Sequence, residues 1–247
     1  MPLRDPGPGD GLPKLSAFGA TLHAEEEDAY WQAMPPDVEN DRWFWGGRLS
    51  PATHGLESRR TYTVTLDTPV QQGNPAELRV AFKGFTTDDH RTRLLLNGVP
   101  LDDQEWSGQV RFVQTVRFFP GLLQPGANHL TVEALPSGAP GDQFLLDWIE
   151  IDYPAQLVGR EERLAFATPP GEHRVEITGF RDETPLLFEI TDATAPVRIV
   201  TQPVVVEGGA MGLRCRADGE ARYLALTPSA FRRPAAIRAD TPSAWRT

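Results

Sequence analysis

Cysteine is nearly absent. Cys215 is the one thiol in 247 residues, so no internal disulfide can form and no site within one chain can draw on two thiolate ligands. Lysine is almost as scarce, with only Lys14 and Lys83, and the remaining basic side chains are arginines. With 24 basic against 34 acidic residues the net charge is -10, which draws the surface toward neither nucleic acid nor anionic lipid. Long apolar runs are also missing. No stretch approaches the roughly 20 residues that cross a bilayer, and the Pro/Gly-rich opening from Met1 to Asp10 lacks the apolar segment of a signal peptide. No membrane span is expected, and an extracellular or cell-surface location would rely on a signal outside this chain. Amphipathic stretches of helix length are absent too, which argues against an α/β fold.

What is present is period-two patterning. Tyr62, Val64 and Leu66 alternate with threonines, Leu78, Val80 and Phe82 alternate with Glu77, Arg79 and Ala81, and Val110, Phe112, Val116 and Phe118 share one parity. Asn97-Gly98 and Pro125-Gly126-Ala127-Asn128 supply turn chemistry between strands. Phe144 to Ile151 is apolar on both parities, as expected of a strand covered on two faces. A second set of short strands follows: Val175 with Ile177, Leu186 to Ile190, Val197 with Ile199, Val204 to Val206 and Tyr223 to Leu226. The expected fold is all-β, with two β-sandwich modules. Residues 1–54 read as an extended acidic and aromatic lead-in packed on the body, 55–154 as a jelly-roll sandwich, 155–230 as a smaller Ig-like or irregular sandwich, and 231–247 as a linker toward an absent downstream domain.

Several phrases resemble known families. Leu94-Leu95-Leu96-Asn97-Gly98, then Trp106-Ser107-Gly108, then Leu123 to Val132, then Leu145 to Tyr153 resemble a galactose-binding-like jelly roll. His23 to Glu26, Asp41-Arg42-Trp43-Phe44-Trp45, Asp147 to Pro154, Gly179-Phe180 and Phe188 to Asp192 together resemble the non-catalytic region preceding the peptidase domain of gingipain-type cysteine peptidases, including the sortase-like members of type IX secretion. That resemblance implies a caspase-like α/β domain downstream, carrying the catalytic His and Cys, and a docking or scaffolding role for the region itself. It implies no activity for this chain, and the downstream peptidase domain becomes the expected protein partner.

The residues offer few sites of their own. Cys215 lies between Arg214 and Arg216, cations that favour a thiolate, yet a lone cysteine in an apolar strand is most often a small core side chain. The five histidines show no metal-ligand spacing, and Ser107 lacks the glycine two residues earlier that a nucleophile elbow needs. Gly208-Gly209-Ala210-Met211-Gly212 lacks the Lys-Ser/Thr of a phosphate loop and reads as a hairpin turn. No catalytic residue and no cofactor is expected. Asp88, Asp89, Asp102 and Asp103, in loops, are hard oxygen ligands that a structural calcium would take. Trp106, Trp31, Trp43 and Trp45 offer indoles for stacking on a glycan, Trp106 above all, which makes a carbohydrate-binding module the alternative function, while the cluster at 43 to 45 is also expected to seal the lead-in onto the sandwich. Glu25 to Asp28, with Asp37, Glu39 and Asp41, should form a negative docking face.

Overall fold

The computed structural model describes residues 1–232 apart from 33, 35–40, 71, 140, 182 and 207–209. In chain order the strands open with β1 (Leu3–Arg4), β2 (Phe18–Glu25), β3 (Ala29–Tyr30), β4 (Trp43–Phe44), β5 (Arg59–Leu66) and β6 (Ala76–Gly84). They continue with β7 (Asp89–Leu96), β8 (Val99–Ser107), β9 (Arg111–Phe118), β10 (Gly126–Ala134), β11 (Phe144–Ala155) and β12 (Arg163–Thr168). The last are β13 (Glu172–Phe180), β14 (Leu186–Glu189), β15 (Val197–Ile199), β16 (Gln202–Val205), β17 (Met211–Asp218) and β18 (Ala221–Leu226). The fold is all-β, with only two single-turn 3-10 segments among the described residues.

The chain divides into two units: residues 15–157, and residues 1–14 together with 158–247. The first unit has two four-stranded antiparallel sheets, ordered β5-β10-β7-β8 and β2-β11-β6-β9. Alternation does the sorting. In β5 the side chains of Tyr62, Val64 and Leu66 are buried and the threonines between them are exposed. Leu78, Val80, Phe82, Leu94, Leu96, Leu130, Val132, Ile149 and Ile151 complete a continuous core with them.

Turn chemistry locks the register. Asn97 and Gly98 have φ of 50° and 83°, the two positive values a two-residue hairpin between β7 and β8 requires. Asn97 Nδ2 also donates to Asn128 Oδ1 at 3.0 Å, and buried Asn128 donates to the carbonyls of Gln124 and Gly126. Two phrases distant in the chain are thereby tied to each other.

On β11 the register with β6 jumps between Leu146 and Ile149, both of which face the core, so Asp147 and Trp148 together oppose Ala81. Such a bulge re-aims side chains. The neighbouring Leu145 is buried on the opposite parity, where Met34 and Phe44 cover it, with Trp31 and Phe85 at the margin. Strand β11 is apolar on both faces for this reason.

The second unit has a five-stranded sheet, β1-β15-β14-β18-β12, and a three-stranded sheet, β13-β17-β16. Phe166, Val175, Ile177, Phe180, Leu187, Ile199, Leu213, Cys215 and Tyr223 are buried in it. The lead-in expected over 1–54 is divided between the units instead of forming one segment. Residues 1–14 add a parallel strand beside β15, whereas β2 becomes an edge strand of the jelly roll paired with β11 along its whole length. The first unit accordingly starts at Leu15, well before residue 55. The linker expected over 231–247 lies outside the described residues from 233 onward, as do Gly208 and Gly209.

Candidate functional site

Two clusters of polar and aromatic residues in the first unit are the candidates for a site. The first is the cross-strand neighbourhood of the β11 bulge. Carboxylate oxygens of Glu25, Asp41 and Asp147 lie within 4.8 Å of one another. Glu25 ends β2 opposite Trp148, Asp147 is buried in the bulge, and Asp41 precedes β4. Asp41 Oδ1 accepts from the backbone N–H groups of Arg42 and Trp43 at 2.6 and 3.0 Å, which fixes the start of β4. Arg111 Nε lies 4.0 Å from Asp147 Oδ2, and its guanidinium sits over the Trp148 ring at 5.5 Å. The three carboxylates are thus partly answered by a cation of the protein itself.

Beside them, the short ladder of β3 and β4 carries Tyr30 and Trp43, which are 52% and 41% exposed, with ring centroids 5.0 Å apart. Sequence reasoning treated the aromatics around residue 43 as a seal for the lead-in. Phe44 and Trp45 do seal, both being buried, while Tyr30 and Trp43 face outward. Parity on the two-residue ladder separates Phe44 from Trp43, and Trp45, beyond the ladder, is buried against Tyr62.

The second place is the β7/β8 end. His90 and Asp142 are both fully buried, with Nδ1 and Oδ1 2.5 Å apart, and Ser137 Oγ donates to Asp142 Oδ2 at 3.2 Å. A cleft of about 270 Å³ opens here, lined by Asp89, His90, Glu105, Trp106, Ser107 and Ser137. His90 Nε2 points at the Gly108 carbonyl at 3.3 Å. Both ring nitrogens are thus engaged by protein groups, Nδ1 by the Asp142 carboxyl and Nε2 by the Gly108 carbonyl. Neither nitrogen is left without a protein partner facing the cleft, which is not the arrangement of a general base waiting for substrate. Thr63 Oγ1 meets His129 Nδ1 at 3.2 Å on an exposed sheet face, but no acid orients that histidine among the described residues.

The predicted site residues are dispersed. Trp106, expected to stack on a glycan, is a core residue: 8% exposed, stacked on Phe112 at 5.0 Å, 4.2 Å from the His90 ring and donating Nε1–H to Thr92 Oγ1 at 3.3 Å. It shares the inward parity of β8 with Asp102 and Gln104, polar residues that disguise the alternation. The four aspartates proposed for calcium do not converge. Asp89 pairs with Ser107 at one end of the β7/β8 ladder, while Asp103 lies opposite Arg93 and Asp102 opposite Leu94, four and five residues further along β7. Asp103 is held by Arg91 and Arg93, both at 2.9 Å, and the pair of guanidiniums keeps its carboxyl below the usual aspartate range. Asp102 accepts from Gln104 and Gln114 at 2.7 and 2.9 Å. Cys215 is 1% exposed in β17, and burial pushes its thiol up to about 12, so the flanking arginines do not make it a nucleophile. In the expected acidic face, Glu25, Glu26, Glu27 and Asp28 are all exposed, and Asp37 and Glu39 lie outside the described residues.

No family model and no curated protein matches the chain. Solved structures do. A carbohydrate-binding module, CBM36 in complex with calcium and xylotriose, aligns at TM-score 0.34 and 15% identity, over 53% of this chain and 98% of its own. The isomalto-dextranase of Arthrobacter globiformis T6, complexed with panose, aligns at TM-score 0.36 and 16% identity, over 56% of this chain and 24% of its own. The dimeric latent PorU from Porphyromonas gingivalis aligns at TM-score 0.63 and 12% identity, over 90% of this chain. The chain spans about a fifth of that protein's length, 21%. PorU is a gingipain-type protein, and at that coverage the likeness takes in both units, so the resemblance read from the sequence phrases is matched by a shared all-β fold.

Proposed function

We propose that this chain is the non-catalytic docking region of a larger exported bacterial protein of the gingipain type, presenting its surface to the peptidase domain of the same polypeptide. The observation that carries this reading is the fold likeness to PorU across both units at once, which a likeness of the jelly roll alone would not supply. The chemistry of the described residues agrees with it. The one thiol is buried with a raised pKa, and the one buried histidine in a cleft has both nitrogens engaged. Exposed carboxylates supply charge for association instead.

The test is to mix this chain with the separately expressed downstream domain and follow co-migration in size-exclusion chromatography. A complex at low ionic strength that weakens as salt rises is expected. Absence of a complex at low salt, or a reading frame without a caspase-like domain beyond Thr247, sinks the proposal. For the rival, a glycan-binding module, the 8% exposure of Trp106 counts against that indole, and exposed aromatics such as Tyr30 and Trp43 would have to supply the platform.

A further inference from the structure

Tyr30 and Trp43 form an exposed pair of aromatic rings. Both lie on one short ladder, side by side, and their 50° tilt keeps the rings from stacking flat on each other. Their support is stiff. Asp28 Oδ1 accepts from the N–H of Gly46 at 2.5 Å, Asp41 fixes the N–H groups of Arg42 and Trp43, and the Arg42 guanidinium donates to the carbonyls of Gln32 and Met34. Behind the ladder, Phe44 and Met34 are buried on Leu145. A surface held this way loses little conformational freedom when it is covered.

Charge decides what can cover it. The link between β2 and β3 is Glu26-Glu27-Asp28, and with Glu25 it makes four exposed carboxylates in succession leading into Tyr30. Glu26 and Glu27 have no hydrogen bond or ion pair among the described residues. His23 and Arg111 answer the Glu25 end of the run, whereas Arg42 is committed to backbone carbonyls and Arg48 to the faces of Trp31 and Phe85, at 4.9 and 4.4 Å, and to Gln143 Oε1 at 2.6 Å. Two exposed aromatic rings close in sequence to the unpaired Glu26 and Glu27 carboxylates select a cation, because ring quadrupole and carboxylate attract the same sign.

We propose that the exposed Tyr30 and Trp43 rings, with the Glu25 to Asp28 carboxylates beside them, form a docking surface for an arginine- or lysine-bearing protein segment. The proposal rests on the docking reading above and adds the chemistry of the partner. A neutral glycan would use the rings and leave the Glu26 and Glu27 carboxylates without a role.

The test is a fluorescence-anisotropy titration of the intact chain with a labelled peptide of alternating arginine and glycine, and with the matching glutamate peptide as control. Saturable binding of the arginine peptide, weakened by salt, is expected. The double variant Tyr30→Ser/Trp43→Ser should lose roughly tenfold in affinity while keeping its thermal midpoint, since both side chains are exposed. Glu26→Gln/Glu27→Gln should flatten the salt dependence, and Glu183→Gln/Glu220→Gln, exposed acids of the second unit, should change nothing. No binding, binding indifferent to the aromatic variant, or an equal effect of the control pair overturns the proposal. So does capture of cello-, xylo- or laminari-hexaose through Tyr30 and Trp43 without the arginine peptide. A complex with the downstream domain that ignores Tyr30 and Trp43 would overturn this surface and leave the docking reading standing; peptide binding without such a complex would do the reverse.

Discussion

The two units solve the same problem by different means. The jelly roll is built from one continuous stretch, 15–157, and fixes itself with buried polar contacts between side chains: His90 with Asp142, Thr92 with Gln114, Asn97 with Asn128. The second unit is built from two stretches far apart in the chain. Its segment 1–14 is attached mainly through backbone: Arg198 N–H donates to Pro2 O at 3.0 Å, Val200 N–H to Arg4 O at 2.8 Å, Arg216 N–H to Gly7 O at 2.9 Å and Arg174 N–H to Pro13 O at 2.9 Å. Surface ion pairs add to it, between Lys14 and Glu176 at 3.3 Å and between Arg214 and Asp10 at 3.5 Å. Side-chain networks specify one register at the risk of a heavy penalty when a member is lost, whereas a backbone strap tolerates most side chains and depends on where glycine is.

The largest effect should come from breaking the His90 and Asp142 pair. Asp142→Ala leaves the fully buried His90 Nδ1 without its partner, at a cost of about 3–5 kcal/mol. Trp106→Ala opens a cavity beside Phe82, Phe112 and Phe144 and should cost a similar ~3–5 kcal/mol, while Trp43→Ala should be nearly silent. Urea unfolding measures the size, and hydrogen exchange locates it. Loss of protection confined to 15–157 is expected. Equal loss across 158–232 would break the comparison, because the two units would then be one cooperative body.

The strap is the next lever. Gly9 has φ of 75°, and a Cβ there would lie 3.3 Å from the Cα atoms of both Arg174 and Arg216. Gly9→Ala combines left-handed strain with a backbone contact that cannot swing aside, and should cost about 1–2 kcal/mol in the second unit. Gly11→Ala, with φ of 81° but open space around the added methyl, should cost less. If the two variants are equal, the close approach over β13 and β17 contributes nothing. Exchange at the Arg174 and Arg216 amides, which donate to Pro13 and Gly7, is the readout.

Where the chain obeys alternation with large apolar residues, its fold was legible. Strands β5, β6, β9, β10 and β11 and the Asn97-Gly98 turn all follow from residue type and parity. Two strands were hidden for opposite reasons. In β2 the inward positions Phe18, Ala20, Leu22 and Ala24 are only half-buried and two are alanines, so the apolar signal is faint. In β8 the inward positions include Asp102 and Gln104, with Asp102 accepting from Gln104 and from the buried Gln114, so the alternation reads as polar loop. Trp106 was misread for the same cause: an indole after a polar run looks exposed until its parity is known. The carboxylate group of Glu25, Asp41 and Asp147 depends on a bulge and on pairing between β2 and β11, which no local pattern announces. The attachment of 1–14 to β15 is likewise a long-range parallel pairing, for which a Pro/Gly-rich segment carries no signal.

The smallest effect distinguishes the surface charges from the buried ones. On the outer face of the β2-β11-β6-β9 sheet, Arg79 reaches Glu77, Glu150 and Asp152 at 3.0, 3.1 and 2.7 Å, and His23 reaches Glu25 and Glu150 at 3.3 and 3.2 Å. Burial pulls the His23 pKa down, but the hydrogen bonds to Glu25 and Glu150 outweigh it, so His23 titrates above its ordinary 6.5. Its folded pKa is the higher one, so its stabilisation is complete below about pH 6.5 and is lost as pH rises through the folded value. Asp152 is shifted the other way, below 3.8, and its contribution disappears only in acid, outside that window. The His23 side chain is 47% exposed, so solvent screening holds its share under about 0.5 kcal/mol. The urea midpoint of wild type minus that of His23→Gln, followed from pH 5.5 to 8.5 on amides of β2 and β11, should shrink steadily. A difference that stays constant would mean that His23 serves by packing on Trp148, 5.7 Å away, and not by charge. A shrinking but small difference would place register control in the buried pairs and leave the exposed charges of this face to act on whatever approaches it.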